Sequence, residues 1–290
     1  MKILNEITII GPGLIGASLG LALKKNKLVK KINGIDSNKE NIKSAIKIKA
    51  IDCDLKKIDQ RISKSDLIII CTPVGKFEKI IEALEPYVTK NNIITDVGSV
   101  KSIFKKNTII SKIQHLEIIP AHPIAGTELS GAVNAKVNLF NNKWCILTPI
   151  NKSKNIKKVK YIWESIGMKV SLMSPEEHDE IMSVTSHLPH LIAFTIVSTA
   201  FNLNPKEKKR LLNFSAGGFR DFTRIGSSDP EMWKDIFLNN KEYILKTLTK
   251  FIDDLSFFKN MIENNEASNI HKFIKKTKSI RKKIISLDQN

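Results

Sequence analysis

Cysteine is scarce in this sequence, and what there is forms no pattern. The three cysteines, Cys53, Cys71 and Cys145, contain no CxxC pair, and their odd number makes no complete disulfide framework. Cys71 and Cys145 fall in apolar, strand-like runs, which suits buried thiols in a reducing cytosol and points to a cytoplasmic protein. Metal-binding patterns are missing too. No HExxH occurs, and the close pair His187 and His190 has no paired acids beside it, so no metal is expected. No apolar run approaches the ~18 residues of a membrane span. The N-terminus runs straight into a buried-type strand, so no signal peptide is expected either. Acidic residues are the smaller party: 29 Asp and Glu against 47 Lys and Arg give a formal charge of +18. That balance raises a nucleic-acid hypothesis. The lysines are scattered, however, often beside Asn and Ile, and no basic stripe with interleaved aromatics appears. Codon bias toward Lys, Asn and Ile ranks first as the explanation, steering of a small anionic substrate second, and nucleic acid a distant third. The run KKTKSIRKKII, Lys275 to Ile285, reads as the solvated face of a terminal helix. Neither a nucleic-acid nor a membrane partner is expected.

What is present is most informative at ITIIGPGLIG, Ile7 to Gly16. An apolar strand ends at Gly11, and helix-compatible apolar residues resume at Leu14. Gly11 allows the tight turn, Gly13 lets a pyrophosphate approach the backbone, and Gly16 lets the helix pack closely on the sheet. The free N–H groups of the first turn, around Leu14 and Ile15, would hold phosphates with the helix dipole behind them. A second strand, INGID, ends at Asp36, 20 residues beyond Gly16. A carboxylate there would accept hydrogen bonds from an adenosine ribose. No arginine follows Asp36 immediately, which favours NAD over NADP, although Lys39 keeps NADP open. A glycine turn in an unrelated α/β protein, with a surface aspartate, is the bland alternative.

Along the 290 residues, enough for about two domains, strands are expected near Ile7–Ile10, Ile32–Ile35, Leu67–Cys71, Ile93–Thr95, Glu117–Ile119, Trp144–Leu147 and Lys169–Leu172. With helices between them they imply a mostly parallel sheet covered on both faces. Gly11–Gly13, Thr72–Pro73 and Asp96–Ser99 follow strand ends and should share one crevice. The pattern changes at Ser174, where SPEE offers an N-cap, a first-turn proline and Glu177 for a capping box. Helices are expected over 175–202, 205–213, 230–262 and 266–285, with breaks at Asn204–Pro205, Ala216–Gly218 and Ser227–Pro230. Asp229–Pro230 is a second cap pair. The domain boundary is therefore set near residue 173, giving domains 1–173 and 174–290.

Hydride transfer from an alcohol needs a base, and histidine has the right unperturbed pKa. Of six histidines, His115, His178 and His271 lie in polar contexts and are expected to face solvent. His122, in IIPAHPIAGTELSG, follows a buried-type strand and precedes a Pro- and Gly-containing loop, at the edge where a nicotinamide would lie; a histidine that merely bonds the loop is the alternative. His187 and His190 flank Pro189 inside a helix, where the proline should kink it. In FSAGGFRDFTRIGSSDPEMW, Gly217–Gly218 should break the helix, with Arg220, Arg224 and Trp233 around the break. Arginine's planar fork suits carboxylates. Ser99, in DVGSVK, reads first as the N-cap of a helix starting at Val100, a role compatible with substrate contact.

The blocks GPGLIGASLG, CTPV, TDVGSVK, HPIAGTELSG, MSPEEHDEIMSVTSHLPH and GGFRDFTRIGSSDPEMW, in this order, resemble the prephenate dehydrogenase family, which includes cyclohexadienyl and arogenate dehydrogenases. They span both domains, and long motifs of mixed residue types are far more specific than GxGxxG. The resemblance weakens between residues 37 and 65 and over the last twenty or so positions. Ala216 stands where a third glycine is common, and the chain has room for neither a chorismate mutase nor a regulatory domain. The resemblance implies a Rossmann-type, doubly wound, mostly parallel sheet followed by an all-α C-terminal dimerisation domain. It implies NAD-dependent oxidative decarboxylation of prephenate to 4-hydroxyphenylpyruvate in tyrosine biosynthesis, with arogenate or dual specificity as the alternative. Carried onto this sequence, His122 would accept the C4 hydroxyl proton and Ser99 would contact that hydroxyl or the nicotinamide. Arg224 would bind a substrate carboxylate, with His190 and Trp233 lining the pocket, Gly217 contributing from the same block and Glu128 orienting the loop. Gly11, Gly13, Leu14, Ile15, Gly16, Asp36, Thr72 and Pro73 would hold NAD. A homodimer through the helical half is implied as well. Another hydroxy-acid dehydrogenase, or a non-catalytic NAD-binding module, would keep the first half without needing Arg224, Trp233 or a base at His122.

Overall fold

The computed structural model describes residues 3–106, 116–203 and 208–286; the chain divides into two compact units, Met1–Asn240 and Lys241–Asn290. The first unit is organised by six parallel strands: β1 (Leu4–Ile10), β2 (Val29–Ile35), β3 (Cys53–Asp54), β4 (Leu67–Ile70), β5 (Ile93–Asp96) and β6 (Glu117–Ile118). They lie in the order β3-β2-β1-β4-β5-β6, every pair parallel. Runs such as the LIII of β4 are apolar throughout because both faces of a parallel sheet are covered. The side-chain alternation then sorts two cores. Ile7, Ile9, Leu67, Ile69 and Ile93 pack on one face with Leu19, Leu23 and Trp163, while Ile10, Ile68, Ile70 and Ile94 pack on the other with Phe77, Ile81 and Ile236.

Strands at 144–147 and 169–172 occur as expected but outside that sheet. β7 (Ala121–Pro123), β8 (Trp144–Leu147) and β9 (Lys169–Leu172) form a second, three-stranded sheet, antiparallel between β7 and β8 and parallel between β8 and β9. The chain changes sheets at Pro120. Ile119 still donates to Ile94 of the first sheet, whereas the Pro120 carbonyl accepts from Thr148 beside the second. Proline has no N–H to continue the first ladder.

Among the described residues the helices of this unit are α1 (Leu14–Lys25), α2 (Lys39–Lys47), α3 (Phe77–Leu84), α4 (Ile103–Lys106), α5 (Ile156–Ser165), α6 (Pro175–Met182), α7 (Leu188–Leu203), α8 (Lys208–Asn213), α9 (Gly217–Ile225) and α10 (Pro230–Asn239). From Ser174 onward every regular element among the described residues is helical, and the two caps are as the sequence spells them. Ser174 Oγ accepts from Glu177 N at 3.1 Å and Asp229 Oδ1 from Met232 N at 2.8 Å. Three details differ from expectation. Gly217–Gly218 opens α9 rather than interrupting a helix, the break lying just before it. The expected helix 230–262 is divided at Asn240, whose buried amide donates to the Asp179 carbonyl at 2.9 Å. The kink expected at Pro189 takes the form of a π-turn, Ser183–His187, joining α6 to α7. The break at Asn204–Pro205 falls outside the described residues.

Pro175–Asn202 is thus one continuous 28-residue run of helix, with a mean hydropathy of 1.3 over its most apolar window. By length and composition it would reach across a membrane, which the absence of a long unbroken apolar run did not anticipate. Four of its polar residues, His178, Asp179, Ser183 and His187, are buried in the protein, while Glu177, Glu180 and Thr185 are exposed.

The second unit contains α11 (Lys241–Glu263) and α12 (Ala267–Ile285). Asn265, at φ 55°, makes the turn between them, and the Phe258 and Phe273 rings meet edge to face at 5.3 Å. No residue of α12 is buried, and His271 is exposed there as expected.

Candidate active site

The strand order reverses beside β1, which has β2 on one side and β4 on the other. Register aligns Ile10 with Ile35 and Ile70, and Ile70 with Asp96, so the loops beginning at Gly11, Cys71 and Val97 leave one edge of the sheet together. This is the switch point at which open α/β sheets take ligands. Gly11 has φ +85°, and a Cβ on Gly16 would sit 2.7 Å from the Gly11 carbonyl oxygen, so both glycines are required sterically. Gly13 faces open space, no side chain caps α1 and no acid lies in its first turn, which leaves the N–H end of a 12-residue helix available to an anion. The Thr72 methyl occupies the space a Cβ on Gly11 would need, and Thr72 and Pro73 are half-buried. Asp36 is half-buried at the end of β2; its Oδ1 accepts from Asn38 N at 2.8 Å and its Oδ2 from Asn41 Nδ2 at 3.1 Å. A carboxylate has room for two further donors. The loop thus has the form a dinucleotide's pyrophosphate and ribose need.

His122 lies in β7 with 8% of its surface exposed. Its backbone position is set next door, where Ala121 N donates to Asp96 Oδ1 at 3.0 Å. Asp96 Oδ2 accepts from Gly98 N at 2.7 Å and pairs with the fully buried Lys101 ammonium. Burial pushes the Asp96 carboxyl up and the Lys101 ammonium down, each opposed by the other's charge. His122 Nδ1 is 2.8 Å from His178 Nε2, and His178 Nδ1 is 2.7 Å from Asp179 Oδ1. Burial, with His178, Lys101 and His187 adding to it, holds the His122 pKa well below 6.5, so its imidazole is neutral at neutral pH.

His178 was expected in solvent and is instead fully buried. The polar sequence around it, SPEEHDE, conceals a helical stripe. Pro175, His178, Asp179 and Met182 all face inward, at the i, i+3, i+4, i+7 spacing that would have revealed them. The expectation for Ser99 changes as well. No helix begins at Val100; α4 begins at Ile103, and the N–H groups of Lys101 and Ser102 are bound by the Asp179 carboxylate at 2.8 Å each. A carboxylate from a distant helix takes the capping role, and half-buried Ser99 is left out of it. His115 lies outside the described residues.

His187 is fully buried, with Nδ1 at 3.0 Å from Asn240 Nδ2, and burial brings its pKa down to about 4. His190 stacks on Trp233, ring centroids 3.8 Å apart, while its Nδ1 donates to the Ser186 carbonyl at 2.9 Å. Two buried ring nitrogens, His187 Nε2 and Trp233 Nε1, have no hydrogen-bond partner among the described residues. Such atoms call for water or a ligand. Arg224 lies in the last turn of α9 with its side chain 57% exposed and a loose ion pair to Asp221 at 3.7 Å. Glu128 is exposed on the loop after β7, and Gly217 is exposed with open space around it. The histidine, aspartate and tryptophan residues are therefore knit together by contacts, whereas Arg224, Glu128 and Gly217 are exposed at the surface of this chain.

Two family models match the chain: the prephenate dehydrogenase nucleotide-binding domain over residues 19–172 and the prephenate dehydrogenase dimerization domain over residues 174–276. The chain is similar to a prephenate dehydrogenase from Bacillus subtilis, at 36% identity, covering 96% of this chain and 75% of that one. It is similar to a cyclohexadienyl dehydrogenase from Zymomonas mobilis, at 33% identity, covering 97% and 96%. Among solved structures it resembles A. aeolicus prephenate dehydrogenase in complex with hydroxyphenyl propionate and NAD+, with a TM-score of 0.88 and 35% identity over 98% of this chain and 99% of that one.

Proposed function

We propose a reaction for this chain from one premise: it belongs to the prephenate dehydrogenase family. The reaction is the NAD-dependent oxidative decarboxylation of prephenate to 4-hydroxyphenylpyruvate. The observation that carries it is a buried, neutral His122 on the strand that follows the sheet's carboxyl edge. NAD is supported by the uncapped α1 N-terminus, the half-buried Asp36 and the NAD+ held by the A. aeolicus relative. Gly11, Gly13, Leu14, Ile15 and Gly16 would hold the pyrophosphate, Asp36 the ribose, and Thr72 and Pro73 the neighbouring wall. When bound, NAD supplies the acceptor for the hydride that leaves ring C4. His122 accepts the C4 hydroxyl proton as the carbonyl forms, and returns it to the oxygen once carbon dioxide has left C1 and the ring is aromatic. Ser99 contacts the same hydroxyl, His190 and Trp233 line the ring, and Arg224 grips a carboxylate, with Glu128 and Gly217 shaping the entrance.

Dual action on prephenate and arogenate is the second reading, supported by the cyclohexadienyl dehydrogenase relative, which matches over nearly its full length. Following NADH absorbance with each substrate, and with NAD or NADP, tests both readings. Turnover of neither substrate would remove the proposed activity, and a kcat/KM with NADP equal to that with NAD would remove the role of Asp36.

The domain division proposed with this function is 1–173 for NAD and 174–290 for substrate and dimerisation. A homodimer is supported by the exposed apolar residues of the helical part, among them Val184, Ile196, Leu212 and Phe214, and by the dimerization-domain match. Light scattering is expected to give twice the chain mass, and a single-chain mass at micromolar concentration would refute it. For Arg224, a charge-assisted hydrogen bond is worth about 1.5–3 kcal/mol, so Arg224→Ala should lower kcat/KM for prephenate roughly 10- to 150-fold, mostly through KM. Arg224→Lys should recover part of the loss. An unchanged KM for prephenate with weakened NAD binding would place Arg224 at the cofactor.

A further inference from the structure

His122 is the first of three groups in a line. From its ring, contacts run to His178 at 2.8 Å and on to Asp179 at 2.7 Å, all buried. The direction of each hydrogen bond follows from the far end. The Asp179 carboxylate accepts from Lys101 N and Ser102 N at 2.8 Å. Burial pushes its pKa up, but the His178 hydrogen bond and the Ser102 contacts outweigh this, so Asp179 stays ionised. An ionised carboxylate only accepts, so His178 Nδ1 carries a hydrogen. Burial holds the His178 pKa below 6.5 against the pull of Asp179, so His178 is neutral and presents a lone pair at Nε2. His122 Nδ1 must therefore be the donor, and the free lone pair of His122 is at Nε2.

We infer that His178 and Asp179 are positioning residues that fix the tautomer of His122, making Nε2 its basic atom. This rests on the reading of His122 as the base. When the substrate O–H bond breaks, its proton goes to His122 Nε2 and the electron pair stays on oxygen. The Nδ1 proton of His122 can then move to His178 Nε2, which brings the cation beside Asp179 without protonating the carboxylate. The return step reverses both transfers, and no proton is gained or lost overall. The other groups facing His122 do not supply this. Lys101, already paired with Asp96, and His187 both disfavour a cation there, and Cys145 on β8 is a buried thiol whose pKa burial raises. Asp179 alone offers the line an uncommitted negative charge, and it also pins the loop that carries Ser99 through Lys101 N and Ser102 N.

The test is histidine-selective ¹⁵N NMR of the full chain, with Asp179→Asn beside the wild type. In the wild type, His122 and His178 are both expected to carry hydrogen on Nδ1. In Asp179→Asn, with the amide oxygen toward Ser102 N, Nδ2 takes the Oδ1 place, where it displaces the Lys101 N–H contact and turns His178 Nδ1 into an acceptor. Both rings should then switch to Nε2–H, and kcat should fall on the order of 10²–10⁴-fold. Loss of the carboxylate charge should also move the acid limb of the kcat profile to lower pH, which a merely structural role would not do. A wild-type His122 with hydrogen on Nε2 overturns the inference even if Asp179→Asn does not fold. So does a folded Asp179→Asn with unchanged tautomers and kcat. If the wild type turns over neither prephenate nor arogenate, it is the proposed reaction that fails, and the wild-type spectrum still decides the tautomer.

Discussion

Replacing His122 with asparagine is expected to lower kcat roughly 10²–10⁴-fold, the span of a positioned general base, while Tm and NAD affinity stay close to the wild type. The asparagine amide can still donate to His178 Nε2, so the buried line keeps a partner at that point, but it has no group that takes up a proton near neutral pH. The wild-type rate should also fall with acidification. The sign follows from the depressed pKa of His122: the imidazole is basic above that value and is lost as pH falls through it, so the limb lies on the acid side of 6.5. A His122→Asn enzyme with a near-normal kcat would remove the histidine from the mechanism.

The largest effect on stability is expected at Lys101. Lys101→Met leaves the Asp96 carboxylate buried without its cation, and breaking a buried pair from one side costs about 3–5 kcal/mol. At about 2–4 °C per kcal/mol for a chain of this size, Tm should fall by about 6–20 °C. Lys24 serves as the control. It pairs with Asp52 at the surface, with side chains 25% and 40% exposed, and Lys24→Met should cost less than about 1 kcal/mol. Calorimetry of the two variants separates these cases. Equal shifts would mean that the Asp96 carboxyl is neutral in the fold and that the pair carries little charge.

The strands were legible where a run of apolar, mostly β-branched residues marked them, as in Ile7–Ile10 and Leu67–Ile70. Seven segments read from the sequence are strands, and the crevice loops at Gly11, Thr72 and Asp96 follow from them. The missed strands, Cys53–Asp54 and Ala121–Pro123, are two and three residues long, and pairing rather than composition defines them. The change of sheet at Pro120 was equally out of reach, since it depends on where Thr148 arrives. In the site, His122 was visible from its place after a strand. His178 and Asp179 were not, because a run of charged residues reads as solvent-facing until the helical stripe is counted. The division at Asn240 is tertiary in origin: an asparagine leaves the helix there with its side chain bonded to Asp179 and His187.

The π-turn at Ser183–His187 acts as a phase correction. In a regular helix at about 100° per residue, His187, nine residues past His178, would point about 180° away from it, and His190 about 120° away. One extra residue taken up in the wider turn reduces these angles to about 80° and about 20°. Two carbonyls of the segment also accept from side chains: Thr185 Oγ1 donates to Ile181 O at 2.9 Å and His190 Nδ1 to Ser186 O. Three histidines spread along more than three helical turns are thereby rotated toward one side. The SVTSHLP segment thus acts as a dial, setting by residue count which side chains the helix turns inward.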